Sequence, residues 1–153
     1  MPRPPDRQPT HPCGRRDPPL SLSPAPRITL ACSDHGFQLG EFNIPMDKRH
    51  VFDWDTRVHL LARGPGIKHG SKWAQPATQV DLAPTFLGIA GLAAPSQMDG
   101  KSLLPLLVDT EDTSLVAEVS ASTLGHLKAL GGSSKAYTKG WRDLVFIEYY
   151  WVK

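Results

Sequence analysis

A short apolar run that ends in an acid, an imidazole and a glycine constrains this chain more than any other feature. Residues 28–32 read Ile-Thr-Leu-Ala-Cys, a composition typical of a buried strand, and Asp34, His35 and Gly36 follow almost at once. In an open α/β sheet, ligands bind beyond the carboxyl ends of the strands. Asp34 and His35 can both bind a metal ion, and glycine lets the backbone turn sharply. The sequence therefore predicts a binding corner at the end of the first strand.

Further along the chain, patterns typical of strands alternate with patterns typical of helices. Residues 58–63 and 144–147 are apolar and β-favouring. Residues 80–91 carry apolar side chains at helical spacing, and residues 102–108 form a shorter helical pattern. Such alternation is typical of an α/β fold, so we expect a mostly parallel sheet with flanking helices.

The helix at residues 80–91 has the clearest predicted boundaries. Thr78 and Asp81 are candidate N-terminal caps, and Gly91 suits the C-terminal stop. Residues 109–138 show no comparable pattern, and we expect a variable loop there.

Residues 1–27 differ in composition from the rest of the chain. They hold nine of the 15 prolines and five arginines, with little apolar clustering. Such a segment cannot bury enough apolar surface to offset the entropy lost on ordering. We therefore expect a disordered tail at residues 1–27 and a folded part at residues 28–153. The charged start is not followed by the apolar stretch that a signal peptide contains, so the localisation stays open.

Charge and hydropathy argue against two classes of partner. The net charge is +2, and the basic residues are scattered, so nucleic acid is not expected as a partner. No apolar run approaches the length of a membrane span. Cys13 and Cys32 could form at most one disulfide, and we expect Cys32, within an apolar strand, to be a buried free thiol. The oligomeric state does not follow from the sequence.

Five segments, with a weaker sixth, occur in an order that matches one known family. The first two read Ser-Asp-His-Gly-Phe-Gln-Leu-Gly-Glu and Met-Asp-Lys-Arg. The six segments lie at residues 33–41, 46–49, 58–67, 80–91, 98–107 and 141–149. Together they resemble the sulfatase family, and within it the N-acetylglucosamine-6-sulfatase type. The resemblance covers about residues 28–108 and 139–149. It implies the C-terminal part of a catalytic domain with the alkaline-phosphatase-like α/β sandwich fold.

The resemblance also implies roles for three residues of the predicted corner. Asp34 and His35 match the positions that hold a divalent cation in sulfatases, usually Ca²⁺. Asp34 is the hard oxygen ligand that calcium prefers, whereas His35 is softer. Lys48 matches the lysine that contacts the sulfate oxygens, both as a substrate-binding and as a catalytic group. From spacing alone, Asp34 and His35 also fit an ordinary turn, and Lys48 fits a solvated surface lysine.

A neighbouring segment of acidic and basic residues, 53–57, has two possible roles. It could supply substrate contacts through Asp53, Asp55 and Arg57. Its composition more simply predicts a capping and ion-pair cluster that leads into the second strand.

The family's nucleophile has no counterpart in this sequence. Sulfatases use a formylglycine made from the first residue of Cys/Ser-x-Pro-x-Arg, and neither Cys13 nor Cys32 lies in that pattern. The implied activity is hydrolysis of sulfate monoesters, on sulfated sugars such as glycosaminoglycans or on aryl sulfates, with this chain inactive alone. The alternatives are a non-catalytic module that binds a sulfated sugar or a partner, and a related metal-dependent phosphoesterase. Family members are often lysosomal or secreted.

Overall fold

The structure is a computed structural model that describes residues 27–130 and 134–149. The tail predicted at residues 1–27 lies outside these ranges, except for Arg27. In chain order the elements are β1 (Thr29–Cys32), a 3-10 turn (Glu41–Asn43), α1 (Asp53–Thr56), β2 (Leu60–Arg63), a second 3-10 turn (Gln79–Asp81), α2 (Leu82–Ile89), α3 (Leu104–Leu107), α4 (Thr113–Val116), α5 (Ala121–Ala129) and α6 (Ser134–Lys139).

The described residues form α-helices and a β-sheet, but the sheet is small and antiparallel. β1 pairs with β2 in a register that sets Thr29 opposite Arg63 and Cys32 opposite Leu60. The expected mostly parallel sheet is therefore not confirmed. The sequence pattern locates both strands, but strand direction depends on how the chain returns between them, which local composition does not encode.

The strand predicted at residues 144–147 is wrong for this structure, because that segment has no strand assignment. Leu144 is 72% exposed and Phe146 is 81% exposed. β-favouring residues make a strand only where a neighbouring edge offers hydrogen bonds and a surface to pack on.

The predicted helix at residues 80–91 is confirmed, with its boundaries nearly as expected. Thr78 and Asp81 form a reciprocal capping box at the start of the second 3-10 turn, and this turn leads directly into α2. Gly91 ends the helix with a φ of 77°, the left-handed conformation that glycine adopts without strain.

The hydrophobic core lies among the helices rather than on the sheet. One cluster joins Leu104, Val108, Val119 and Leu127, and a second joins Leu103, Leu106 and Trp141. Within α3, Leu104 belongs to the first cluster and Leu106 to the second, so this short helix contacts both parts of the core. Residues 109–138, expected to be a variable loop, contain α4, α5 and most of α6 in their described part, and α5 contributes Leu127 to the core.

The sheet is correspondingly exposed. Leu61 of β2 is 65% exposed, and Cys32, expected to be buried, is an exposed free thiol. The prediction for Cys32 was wrong because it assumed a sheet covered on both faces. Within the described ranges, none of the helices has the length and apolar character needed to cross a bilayer.

Candidate functional site

The corner predicted at the end of β1 is a tight loop stabilised by its own side chains. The Asp34 carboxylate accepts a hydrogen bond from the His35 amide at 3.0 Å, and the Ser33 hydroxyl donates to the His35 carbonyl at 2.7 Å. The Gly36 amide donates to the carbonyl of Asp55 at 2.7 Å, which brings the loop against α1. A side chain at Gly36 would overlap the Trp54 carbonyl oxygen, so this close approach requires glycine.

The structure brings the three predicted site residues together. His35 Nε2 lies 2.9 Å from Lys48 Nζ and 3.3 Å from the nearer Asp34 carboxylate oxygen. His35 Nδ1 lies 2.6 Å from the Gly36 carbonyl oxygen, which can only accept, so the proton of the neutral ring sits on Nδ1. Nε2 then carries a lone pair, and the Lys48 ammonium donates to it.

The electrostatics of the cluster follow from this arrangement. Partial desolvation raises the pKa of the Asp34 carboxyl, but the hydrogen bond from the His35 amide and the positive charge of Lys48 outweigh that effect. The net pKa of Asp34 therefore lies below its usual value, and the carboxylate is ionised at neutral pH. Asp34 is 81% exposed and His35 35% exposed, so both remain open to an incoming ion or anion.

These residues fit part of a cation site. Asp34 offers carboxylate oxygens, and His35 offers Nε2 with its other nitrogen hydrogen-bonded to a carbonyl, which is the usual arrangement for a ligating histidine. The Lys48 ammonium occupies the space next to both groups. Ca²⁺ takes six to eight ligands, and residues 27–130 and 134–149 contain no group of three or more His, Cys, Asp or Glu side chains that could hold a metal. The pair would supply a minority of the ligands.

Two further residues support the corner: Gln79, which has no predicted role, and Asp55, whose two predicted roles did not include this one. The Gln79 side-chain amide donates to the carbonyl oxygens of Ser33 and Asp34, at 2.7 and 2.8 Å. Asp55 accepts from Gly36 through its carbonyl and from the His50 amide through its carboxylate, at 2.7 Å each. No local sequence signal marks Gln79, because its partners lie about 45 residues away.

The segment at residues 53–57 contains both an exposed ion pair and a buried acid. Asp53 and Arg57 form an exposed ion pair at 3.6 Å, as the capping and ion-pair interpretation predicts. Asp55 is only 4% exposed, so its side chain cannot contact a substrate at the surface. Next to this helix, an open depression of about 420 Å³ runs from the end of β1 past His35 to Arg57 and His59.

Comparisons with known proteins identify what the chain is similar to. Residues 40–120 match the family model described as N-sulphoglucosamine sulphohydrolase, C-terminal. N-acetylglucosamine-6-sulfatase of Homo sapiens is 47% identical over 76 residues, which are 49% of this chain and 14% of that protein. The extracellular sulfatase SULF-1 homolog of Drosophila melanogaster is also 47% identical over 76 residues, 50% of this chain and 7% of that protein.

A longer match extends beyond these segments. The putative extracellular sulfatase Sulf-1 homolog of Caenorhabditis elegans is 36% identical over 116 residues, 76% of this chain and 14% of that protein. No solved structure matches the chain significantly. The chain belongs to the sulfatase family and corresponds to its C-terminal part. It spans between 7% and 14% of the length of these relatives.

Proposed function

We propose that this chain is the C-terminal part of the catalytic domain of a sulfatase that hydrolyses sulfate monoesters of sugars, such as those of glycosaminoglycans. Membership of the family supports the reaction class. The observation that carries the proposal is the 2.9 Å contact between Lys48 Nζ and His35 Nε2, with the Asp34 carboxylate alongside. A cation, a carboxylate and an imidazole at one exposed corner suit the binding of an anionic ester next to a metal ion.

In this proposal Asp34 and His35 hold part of a divalent cation site, with Ca²⁺ as the metal. A bound Ca²⁺ would neutralise charge on the sulfate group and polarise it. The remaining ligands come from other parts of a full sulfatase, from water and from the substrate. The metal and Lys48 would share the corner, so Lys48 turns from His35 toward the sulfate when both are bound.

Lys48 is the substrate-binding and catalytic residue of the proposal. Its ammonium contacts the sulfate oxygens and stabilises the negative charge that develops as the S–O bond breaks. The ester would lie over the depression beside His35, where apolar atoms of the β1 end and Val58 can pack against a sugar or aryl ring. The structure thus supports a site that binds and orients the ester, while the nucleophile comes from outside these residues.

The chain alone is inactive in this proposal, because the formylglycine pattern is missing from its 153 residues. A chimera gives the sharpest test. Residues 28–120 would replace the matching segment of the human N-acetylglucosamine-6-sulfatase, and turnover of N-acetylglucosamine 6-sulfate would be measured. We expect the chimera to hydrolyse this substrate, and Lys48→Met to lower kcat at least about 100-fold, as for the loss of one transition-state donor.

The matched control is Lys72→Met, since Lys72 is an exposed lysine outside the corner. We expect it to change turnover less than about twofold, in line with ordinary surface substitutions. A folded chimera without activity, or equal losses in both variants, contradicts the proposal. Saturable binding of a sulfated sugar by an inactive chimera would instead support the non-catalytic module, and turnover of a phosphate ester in place of the sulfate would support the phosphoesterase.

A further inference from the structure

Asp55 joins the two loops that carry His35 and Lys48. Its carbonyl accepts from the Gly36 amide, one residue beyond His35, at 2.7 Å. Its carboxylate accepts from the His50 amide, two residues beyond Lys48, also at 2.7 Å. A single residue of α1 therefore fixes both loops, one through its backbone and the other through its side chain.

Gln38 adds a second link between the same loops. Its backbone amide donates to the Asp47 carbonyl at 2.9 Å, and its side-chain amide lies 3.4 Å from the same carboxylate oxygen of Asp55 that binds His50. Gln38 is 1% exposed and Asp55 is 4% exposed. Hydrogen bonds excluded from water in this way are stronger, and losing their acceptor leaves buried donors unpaired.

Lys48 itself lies on the exposed side of this connection. Its long side chain has many rotamers, and ordering such a chain costs conformational entropy. Fixing the backbone on either side of it, at Asp47 and at His50, limits where the ammonium can reach. Such a restriction favours the short contact between Lys48 and His35.

We propose that Asp55 is a positioning residue, which sets the Lys48 ammonium against His35 through its hydrogen bond to the His50 amide and its contact with Gln38. The expected effect of Asp55 on sulfate binding rests on the function proposed above for Lys48. Its expected effect on the contact between the Lys48 and His35 side chains does not depend on that function. The two effects are measured separately.

The first measurement is calorimetric titration of the full chain with inorganic sulfate. Asp55→Ala removes the acceptor, and we expect sulfate to bind about tenfold more weakly, as for the loss of one charge-assisted hydrogen bond. Asp55→Asn keeps an accepting oxygen for His50 and Gln38, so it should restore binding to within about threefold of the original. Asp53→Ala, on the exposed side of the same helix, is the matched control and should change nothing.

A double-mutant cycle distinguishes positioning from general destabilisation. If Asp55 acts through Lys48, then Asp55→Ala should have no further effect on sulfate binding when Lys48 is already Met. Equal losses in both backgrounds overturn the proposal. The proposal is also overturned if the original chain binds sulfate through Lys48 and Asp55→Ala binds sulfate equally well.

The second measurement is the proximity of the Lys48 and His35 side chains by nuclear Overhauser effects. We expect Asp55→Ala to abolish the contact and Asp53→Ala to preserve it, and a preserved contact in Asp55→Ala overturns the proposal. If sulfate binds the original chain and Lys48→Met equally, the proposed function of Lys48 fails, and this measurement still decides the positioning. If Asp55→Ala does not fold, Gln38→Met removes only the side-chain contact with Asp55 and keeps the backbone bond to Asp47. An undiminished contact between Lys48 and His35 in that variant counts against the proposal.

Discussion

At the scale of single residues, Gly36 decides whether the corner can form. Its amide bonds to Asp55, and any Cβ atom at this position would collide with the backbone of Trp54. The glycine is therefore required by close packing of two backbones. Gly125 of α5 differs, since a Cβ atom there meets no heavy atom within 4 Å.

The two glycines give opposite predictions. Gly36→Ala should lower the free energy of unfolding by about 2 kcal/mol or more, because the loop must move away from α1. Gly125→Ala should raise it by about 0.5–1 kcal/mol, because alanine favours the helix. Chemical denaturation of both variants tests this pair. A neutral effect of Gly36→Ala would show that the loop does not pack on Trp54.

Asp81 is the most heavily bonded buried acid in the described structure. It is fully buried, and its carboxylate accepts from the Thr78 amide, the Lys101 amide and the Arg142 guanidinium at 2.7–2.9 Å. It therefore connects the start of α2 with two distant segments.

Removing this carboxylate should be costly. We expect Asp81→Ala to lower the free energy of unfolding by about 3–5 kcal/mol, because it leaves Arg142 and buried amides without their acceptor. Asp99→Ala, at an exposed position, is the control and should change the stability by less than about 0.5 kcal/mol. Thermal or denaturant unfolding of the two variants measures the difference, and similar values would contradict the prediction.

At the scale of elements, the 3-10 turn before α2 is hydrogen-bonded to the loop of the candidate site. Gln79 reaches from this turn to the carbonyls of Ser33 and Asp34. Through Asp81, the same turn is fixed to the chain around Arg142. Gln79 thus links the helical core to the corner.

Loss of this link should loosen the corner without unfolding the helices. We expect Gln79→Leu to speed amide hydrogen exchange at residues 33–36, and to leave exchange in α2 and α5 unchanged. Gln97→Leu, at an exposed position beyond α2, is the matched control. Unchanged exchange at residues 33–36 in Gln79→Leu would show that the two hydrogen bonds do not hold the loop.

α4 offers a prediction that depends on pH. Hydrogen bonds from the Ser114 hydroxyl and the Leu115 amide lower the pKa of Asp112, the N-cap, from 3.8. Because its pKa is lower in the folded state than the ordinary value of 3.8, the ionised Asp112 carboxylate stabilises the fold fully above pH 3.8. This contribution is lost as the pH falls through the pKa of the folded state. The stability difference between the original chain and Asp112→Ala should therefore be constant near neutral pH and shrink in acid. The stability difference between Asp112→Asn and Asp112→Ala should not depend on pH, because neither variant has a carboxyl group at this position.

At the scale of the whole molecule, the core and the candidate site lie on different parts of the fold. The two hydrophobic clusters involve the helices, whereas the sheet and the corner expose Leu61, Phe42 and Met46, each at 65% or more. Exposed apolar surface of this extent marks a contact face. In the proposed sulfatase, other parts of the catalytic domain would cover it.

The chain by itself should therefore self-associate. We expect sedimentation velocity to show species larger than the 16.8 kDa monomer, in amounts that rise with concentration. Leu61→Lys, in β2, should reduce this association because it places a charge on the sheet. Leu92→Lys, at an exposed position after α2, should not. A monomer at all concentrations would contradict the prediction.

The sequence by itself determined the features that depend on local chemistry. The period and caps of residues 80–91 predict α2, because helix boundaries follow from neighbouring residues. The run at residues 28–32 predicts β1, and the segments that follow predict the family. The sequence also indicated Asp34, His35 and Lys48, and the structure brings these three together.

Only the tertiary structure decided the features that depend on distant contacts. The antiparallel pairing of β1 and β2, the exposure of Cys32 and the absence of a strand at residues 144–147 all depend on which surfaces meet. The links from Asp55 and Gln79 to the corner are likewise set by packing, since their partners lie up to 46 residues away. A residue's type shows which bonds it can make, but the fold selects the partner, because burial and distance determine which bonds form.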